Sequence, residues 1–179
     1  MRGGIHSGLL VLVNAEHPIR GAERPVLAPA LPGSEVLLDA RAAAMLTGLV
    51  SRLRAAGEIV PVSGWRSEAE QREIWDGSMR ESGEEFTRKY VALPGCSEHQ
   101  LGLSVDLTSK DIIGDEDSFF VDTPEYRWVI KHAHEYGFIL RYPDDKTSIT
   151  GTTNEPWHFR YVAKEEAMFA WLPELGCTL

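Results

Sequence analysis

Between Ser34 and Leu53 the apolar residues Val36, Leu37, Ala40, Ala44, Leu46, Leu49, Val50 and Leu53 recur at helical spacing, and after Gly57 the pattern changes to short segments suited to strands. A chain that alternates helical stripes with brief strands buries both kinds of apolar face by laying helices against a sheet. The expected class is therefore α+β, built on one central sheet. At 179 residues, 43% of them hydrophobic, the chain is long enough to bury the core of one domain, with no repeat and no low-complexity tract. Residues 1–33 read as an N-terminal arm and a connector marked by Pro25, Pro29 and Pro32, and residues 34–179 as the core.

Local signals place the elements. Ser34 is the expected cap of the first helix and Gly57 its stop. Glu58 to Ser63 reads as a strand, and Ser67 with Glu70 forms a capping box that opens a helix through Ile74 and Trp75, leaving Gly64, Trp65 and Arg66 at the junction. Gly77 to Gln100 is polar and long for a connection, a candidate substrate-covering loop. Leu103, Val105 and Leu107 alternate with Ser104 and Asp106, so Asp106 faces away from the apolar side of that strand. Thr123 and Pro124 start a helix that stops at Gly137. Phe138 to Tyr142 and Trp157 to Val162 read as strands joined by a polar connection, and the C-terminal segment as helical through Met168 and Trp171.

Charge and cysteine content remove several classes. A net charge of −9 without a basic cluster argues against a nucleic-acid partner. Two cysteines, Cys96 and Cys177, make neither a disulfide framework nor a Cys-x-x-Cys pair. The apolar run Gly8 to Val13 is too short for a leader or a membrane span and reads as a strand or core-packing arm, so the expectation is a cytoplasmic protein without a membrane partner.

Of six histidines, His99 and His158 have the best companions. His99 precedes the strand carrying Asp106, and His158 closes Glu155-Pro156-Trp157-His158. Two imidazoles and a carboxylate are a natural zinc set that leaves a position open for water, whose pKa the metal lowers toward neutrality. Glu155 sits where it can take the water's proton, and Arg66, always charged, can stabilise an oxyanion. Taken singly, residues of these types are more commonly packed or solvated. Cys96 near His99 is better read as a buried small thiol. His132 and His134 are two apart on a helix and diverge, one toward the surface and one toward the core, while His6 and His17 have no partners at ligand spacing. The five tryptophans read as core area, with Trp157 alone a possible wall of the site.

Together, Ser63-Gly64-Trp65-Arg66-Ser67, Ser97-Glu98-His99-Gln100-Leu101-Gly102-Leu103-Ser104-Val105-Asp106 and Glu155-Pro156-Trp157-His158 resemble the three motifs of the VanY/VanX-type D-alanyl-D-alanine carboxypeptidases and dipeptidases, over roughly Leu10 to Val162. The resemblance implies a single hedgehog/D,D-peptidase-like domain with a mainly antiparallel sheet flanked by helices. It further implies one Zn2+ per chain held by His99, Asp106 and His158, Glu155 as base, Arg66 on the scissile carbonyl, and Ser97 and Gln71 as substrate contacts. Ser104 departs from the family's usual Ala, a small-for-small change that can add a hydrogen bond. Phe86 to Pro94 resembles the cytoplasmic bifunctional VanXY group, which implies D-Ala-D-Ala or a muramyl pentapeptide as substrate and a part in glycopeptide (vancomycin) resistance. Two other readings stay open: L,D- or endopeptidase action on wall peptides, since the pocket rather than the metal sets specificity, and a non-catalytic zinc-stabilised binding module like the hedgehog domains.

Overall fold

The computed structural model describes residues 8–20, 24–53, 58–115 and 117–171, so His6, Gly57 and Cys177 lie outside the described residues. In chain order the strands are β1 (Leu27–Pro29), β2 (Leu37–Asp39), β3 (Ile59–Ser63), β4 (Ser104–Ser109), β5 (Phe138–Leu140) and β6 (His158–Tyr161). The helices are α1 (Ala40–Ser51), α2 (Glu68–Glu81), α3 (Gly83–Tyr90), α4 (Pro124–His132), α5 (Thr147–Thr150) and α6 (Lys164–Trp171). β1 and β2 pair with each other, and the main sheet has the order β3-β4-β6-β5 with every neighbouring pair antiparallel. The fold is α+β, as the alternating patterns require. The 33/34 division expected from the prolines falls in the turn between β1 and β2.

The period of two along β4 decides what faces what. Val105 and Leu107 are buried in a core with Leu38, Leu46, Leu49, Val129, Phe138 and Phe159, whereas Asp106 between them is only partly buried. The N-terminal arm packs on the same core through Val13 and is held by Arg160, whose Nη2 donates to the Leu9 carbonyl at 3.0 Å and the Val11 carbonyl at 3.3 Å. Among the described residues no helix is long and apolar enough to cross a membrane.

Two local expectations change. α1 starts at Ala40 rather than after Ser34, because Leu37 and Leu38 are drawn into β2 by pairing with β1, and the Asp39 carboxylate caps the helix by accepting from the Arg41 amide at 3.0 Å. The stretch from Gly77 to Gln100 is mostly helix: α2 continues to Glu81, α3 follows at once, and Glu98–Leu101 forms a 3-10 turn. α2 and α3 carry almost no buried face, Gln71 and Thr87 being their buried residues, so no apolar period marks them. Exposed i,i+4 ion pairs such as Glu84 with Arg88 at 2.7 Å support them instead. The capping box at Ser67 and Glu70 and the Thr123 cap before Pro124 are both formed.

Gly64 ends β3 against β2, where the Trp65 amide donates to the Leu37 carbonyl at 2.6 Å. A Cβ at Gly64 would collide with the Leu37 carbonyl oxygen and with Val36 Cγ1. Gly64→Ala is expected to lower stability by about 1–3 kcal/mol, read as a drop in the denaturant midpoint. An unchanged midpoint would mean that β2 yields without cost.

Candidate active site

Strand register brings the three motifs together. β4 lies between β3 and β6, with Asp106 opposite Ser63 on one side and His158 on the other. The 3-10 turn before β4 then delivers His99 to the same place, and the Arg66 amide approaches the His99 carbonyl at 3.4 Å. Residues from positions 63 to 158 thus meet because neighbouring strands hold them in line, and a slip of one residue would turn Asp106 into the core.

Among the described residues, His99, Asp106 and His158 form a group whose ligand atoms all lie within 4.8 Å of one another. His99 Nδ1 is 2.7 Å from the Gly64 carbonyl, which can only accept, so Nδ1 carries the proton and Nε2 presents its lone pair, 3.4 Å from Asp106 Oδ2. Burial holds His99 below the usual imidazole range, assisted by His158 and Arg66 and opposed by Asp106, which keeps the ring neutral as a ligand must be. His158 turns Nδ1 to Asp106 Oδ1 at 3.0 Å, and Glu155 Oε2 lies 3.6 Å from the same nitrogen. Burial would raise the Asp106 carboxyl, but the hydrogen bond from His158, with the His99 imidazole alongside, outweighs it and holds the group ionised well below the carboxylate range. Two imidazole nitrogens and an ionised carboxylate in one small space are the donor set of a zinc site.

The other expected residues stand around this group. Glu155 is half-buried, its amide donating to the Tyr142 carbonyl at 3.0 Å, and its carboxyl is raised above the usual range by burial and by Asp106 and Glu98, with His158 and Arg66 opposing. Arg66 is half-buried too. Burial pushes its guanidinium down while Asp106, Glu155 and Glu70 hold it up; Nη2 donates weakly to Ser97 Oγ at 3.5 Å and the buried Nε has no hydrogen-bond partner. Gln71 is 1% exposed, its Nε2 donating to the Ala92 carbonyl at 2.7 Å while its buried Oε1 has no partner.

All seven line one cavity of about 770 Å³, walled further by Trp75, Tyr90, Leu93, Ile149 and Trp157. That volume suits a small peptide. Cys96 lines it as well but stands outside the group of three, its thiol pushed up by burial. His132 and His134 are both half-buried, His132 pairing with Glu135 at 2.8 Å. Glu98, Arg141 and Arg160, packed behind His158, carry no role in the sequence reading. The only hint is that Glu98 directly precedes a histidine.

The VanY model, described as D-alanyl-D-alanine carboxypeptidase, matches residues 35–164. The chain is 42% identical over 158 residues to the bifunctional D-Ala-D-Ala dipeptidase and D-Ala-D-Ala carboxypeptidase VanXYC of Enterococcus gallinarum, covering 86% of this chain and 83% of that protein. A mutant of the vancomycin resistance D,D-pentapeptidase VanY from a VanB-type cassette, solved with Zn(II), superposes with a TM-score of 0.78 at 35% identity, over 93% of this chain and 95% of that one. The vancomycin resistance D,D-dipeptidase VanXYg, solved with a D-Ala-D-Ala phosphinate analogue, gives 0.78 at 41% identity, over 91% of this chain and 66% of that one. With its motifs in register around one cavity and the family model spanning most of its length, the chain belongs to the VanY family of D-alanyl-D-alanine carboxypeptidases.

Proposed function

We propose that this chain is a zinc peptidase that cleaves the D-Ala-D-Ala bond of the free dipeptide, the terminal D-Ala of a muramyl pentapeptide, or both. One ion per chain would be held by His99 Nε2, Asp106 and His158 Nδ1. The observation that carries the reading is the presence of Glu155 and Arg66 in the same cavity as that donor set, a base and a fixed cation that a purely structural zinc site does not need.

Bound zinc supplies Lewis-acid activation of a water and of the scissile carbonyl. Glu155, its carboxyl raised above the usual range by burial and the neighbouring carboxylates, takes the proton of the attacking water and returns it to the leaving amine nitrogen. Arg66 places positive charge where the carbonyl oxygen becomes an oxyanion. Ser97 Oγ, beside the Arg66 guanidinium, and the unpartnered Gln71 Oε1 are suited to bind the peptide's polar groups. Acting on free D-Ala-D-Ala or on wall precursors would place the protein in the cytoplasm, where these are made, and residues 1–179 would act as one catalytic unit.

The test is release of free D-alanine from D-Ala-D-Ala and, separately, from a muramyl pentapeptide, each with and without a chelator. An L-Ala-D-Glu peptide serves as a third substrate. Chelator-sensitive release from the first two supports a bifunctional precursor-trimming enzyme, and release from one alone assigns it as dipeptidase or carboxypeptidase. Cleavage of only the L-Ala-D-Glu bond would overturn the D,D reading, and inertness with zinc bound would favour a binding module.

Metal loading should depend on pH. In the metal-free protein burial alone would depress His158, but Asp106 and Glu98 on either side raise it to about 9. At pH 7 the ring therefore carries two protons, and a metal must displace the one on Nδ1. Zinc uptake at pH 7 is expected to release about one proton, with apparent affinity rising with pH and levelling off above about 9. Calorimetry in buffers of different ionisation enthalpy counts the proton. A count near zero would mean that His158 is already neutral.

A further inference from the structure

Behind the donor set lies a layer of buried charge that the hydrolytic reading leaves unused. Glu98 is 3% exposed, and three groups hold its carboxylate. Arg141 Nε donates to Oε1 at 2.8 Å, Arg160 Nη1 stands 3.0 Å from the same oxygen, and Ser104 Oγ donates to Oε2 at 3.3 Å. Register explains the meeting, because Ser104 and Arg160 are cross-strand partners just as Asp106 and His158 are. Arg160 is anchored on its far side by the Leu9 and Val11 carbonyls, so the clamp is tied into the arm as well as the sheet.

The free edge of this clamp faces the site. Glu98 Oε2 lies 3.6 Å from His158 Nε2, a buried nitrogen with no hydrogen-bond partner, while Nδ1 of the same ring points to Asp106. Metal-ligating histidines give their other ring N–H to a carboxylate or carbonyl, which sets tautomer and ring orientation. His99 has the Gly64 carbonyl for this purpose. For His158 the acceptor in place is Glu98, and the Tyr142 ring, 4.9 Å from its own, packs against it.

We propose that Glu98 is the positioning residue of the metal centre, holding the His158 Nε2–H toward itself so that the Nδ1 lone pair faces Asp106 and His99. The proposal rests on reading His99, Asp106 and His158 as metal ligands. Ser104, where the family pattern has Ala, reinforces the clamp by donating to the very oxygen that faces the ring. The competing account makes Glu98 only an internal counter-ion for Arg141 and Arg160, needed for folding and indifferent to His158.

The two are separated by measuring zinc affinity in competition with a chromophoric chelator for the intact chain and for Glu98→Gln, together with far-UV circular dichroism and a nitrogen-15-resolved histidine spectrum of the zinc-loaded protein. The expected result is a native-like fold for Glu98→Gln with zinc bound about 10–100-fold more weakly. In the unsubstituted protein His158 should be metal-bound through Nδ1, with a slowly exchanging Nε2–H. A folded Glu98→Gln that binds zinc as tightly as the parent would overturn the proposal. If the variant does not fold, the parent spectrum decides: His158 bound through Nε2, or an Nε2–H in rapid exchange, overturns it, and a protected Nε2–H supports it. A parent protein that binds no zinc refutes the metal-centre reading itself, a result distinct from either of these, and the proposal falls with it.

Discussion

Glu155→Gln is expected to keep its zinc and lose turnover on D-Ala-D-Ala by about 10²–10⁴-fold, the usual contribution of a positioned general base. The substitution preserves size and the capacity to hydrogen-bond but removes the proton acceptor, and Glu155 is not one of the three residues whose ligand atoms converge. At 1.36 kcal/mol per decade the loss corresponds to roughly 3–5 kcal/mol of transition-state stabilisation. The pH profile supplies an independent check. Because burial and the neighbouring carboxylates of Asp106 and Glu98 raise Glu155, the base protonates, and activity falls, at a higher pH than an ordinary carboxylate would impose. That acidic limb should vanish from the residual rate of the variant. Zinc content by atomic absorption alongside kcat decides the matter: a variant with full zinc and undiminished kcat removes Glu155 from the mechanism.

Arg66→Ala is expected to lower kcat by about 10²–10³-fold, the range seen when one oxyanion donor is removed. Arg66→Lys should recover only part of the loss, since a guanidinium offers a rigid planar fork and an ammonium a single mobile charge. The structure favours an effect on kcat over one on folding, because among the described residues the guanidinium makes a single long hydrogen bond, to Ser97, and its Nε has no partner. Its desolvation is offset at a distance by Asp106 and Glu155, so removing it also leaves those carboxylates less compensated. Steady-state kinetics on the dipeptide read the result. A rise in KM with kcat untouched would make Arg66 a substrate-binding residue instead.

How much of this the sequence discloses depends on whether a feature is local or tertiary. The alternation around Asp106, the Ser67–Glu70 capping box and the Thr123–Pro124 helix start are written in residues a few positions apart and are found where the pattern places them. Six of the seven residues expected at the site lie in three motifs that occur in order, although each motif alone is ordinary; Gln71 lies outside them, and all seven line the one cavity. β1 and β2 escaped because three-residue strands have no measurable period, and Val36 and Leu37 continue the helical stripe until pairing with β1 overrides it. The last turn of α2 beyond Gly77 and the whole of α3 escaped for the opposite reason, being helical segments with hardly any apolar face to periodise. Glu98 and Arg160 look like solvated charges in the sequence; that they are buried follows from Ser104 and Arg160 being partners across β4 and β6, which no local pattern encodes.

The cavity is built from two kinds of material. Its floor, Asp106 and His158, is central sheet, where the two residues are partners across β4 and β6 and their placement is tied to strand pairing. Much of its rim, including Tyr90, Leu93, Ile149 and Trp157, comes from helix ends and turns and is 37–63% exposed, so substitutions there disturb little beyond the rim. Chemistry and substrate range are thereby written in separable parts of the chain. Selection for a longer or shorter peptide can redraw the rim one exposed residue at a time while the reactive floor stays as it is.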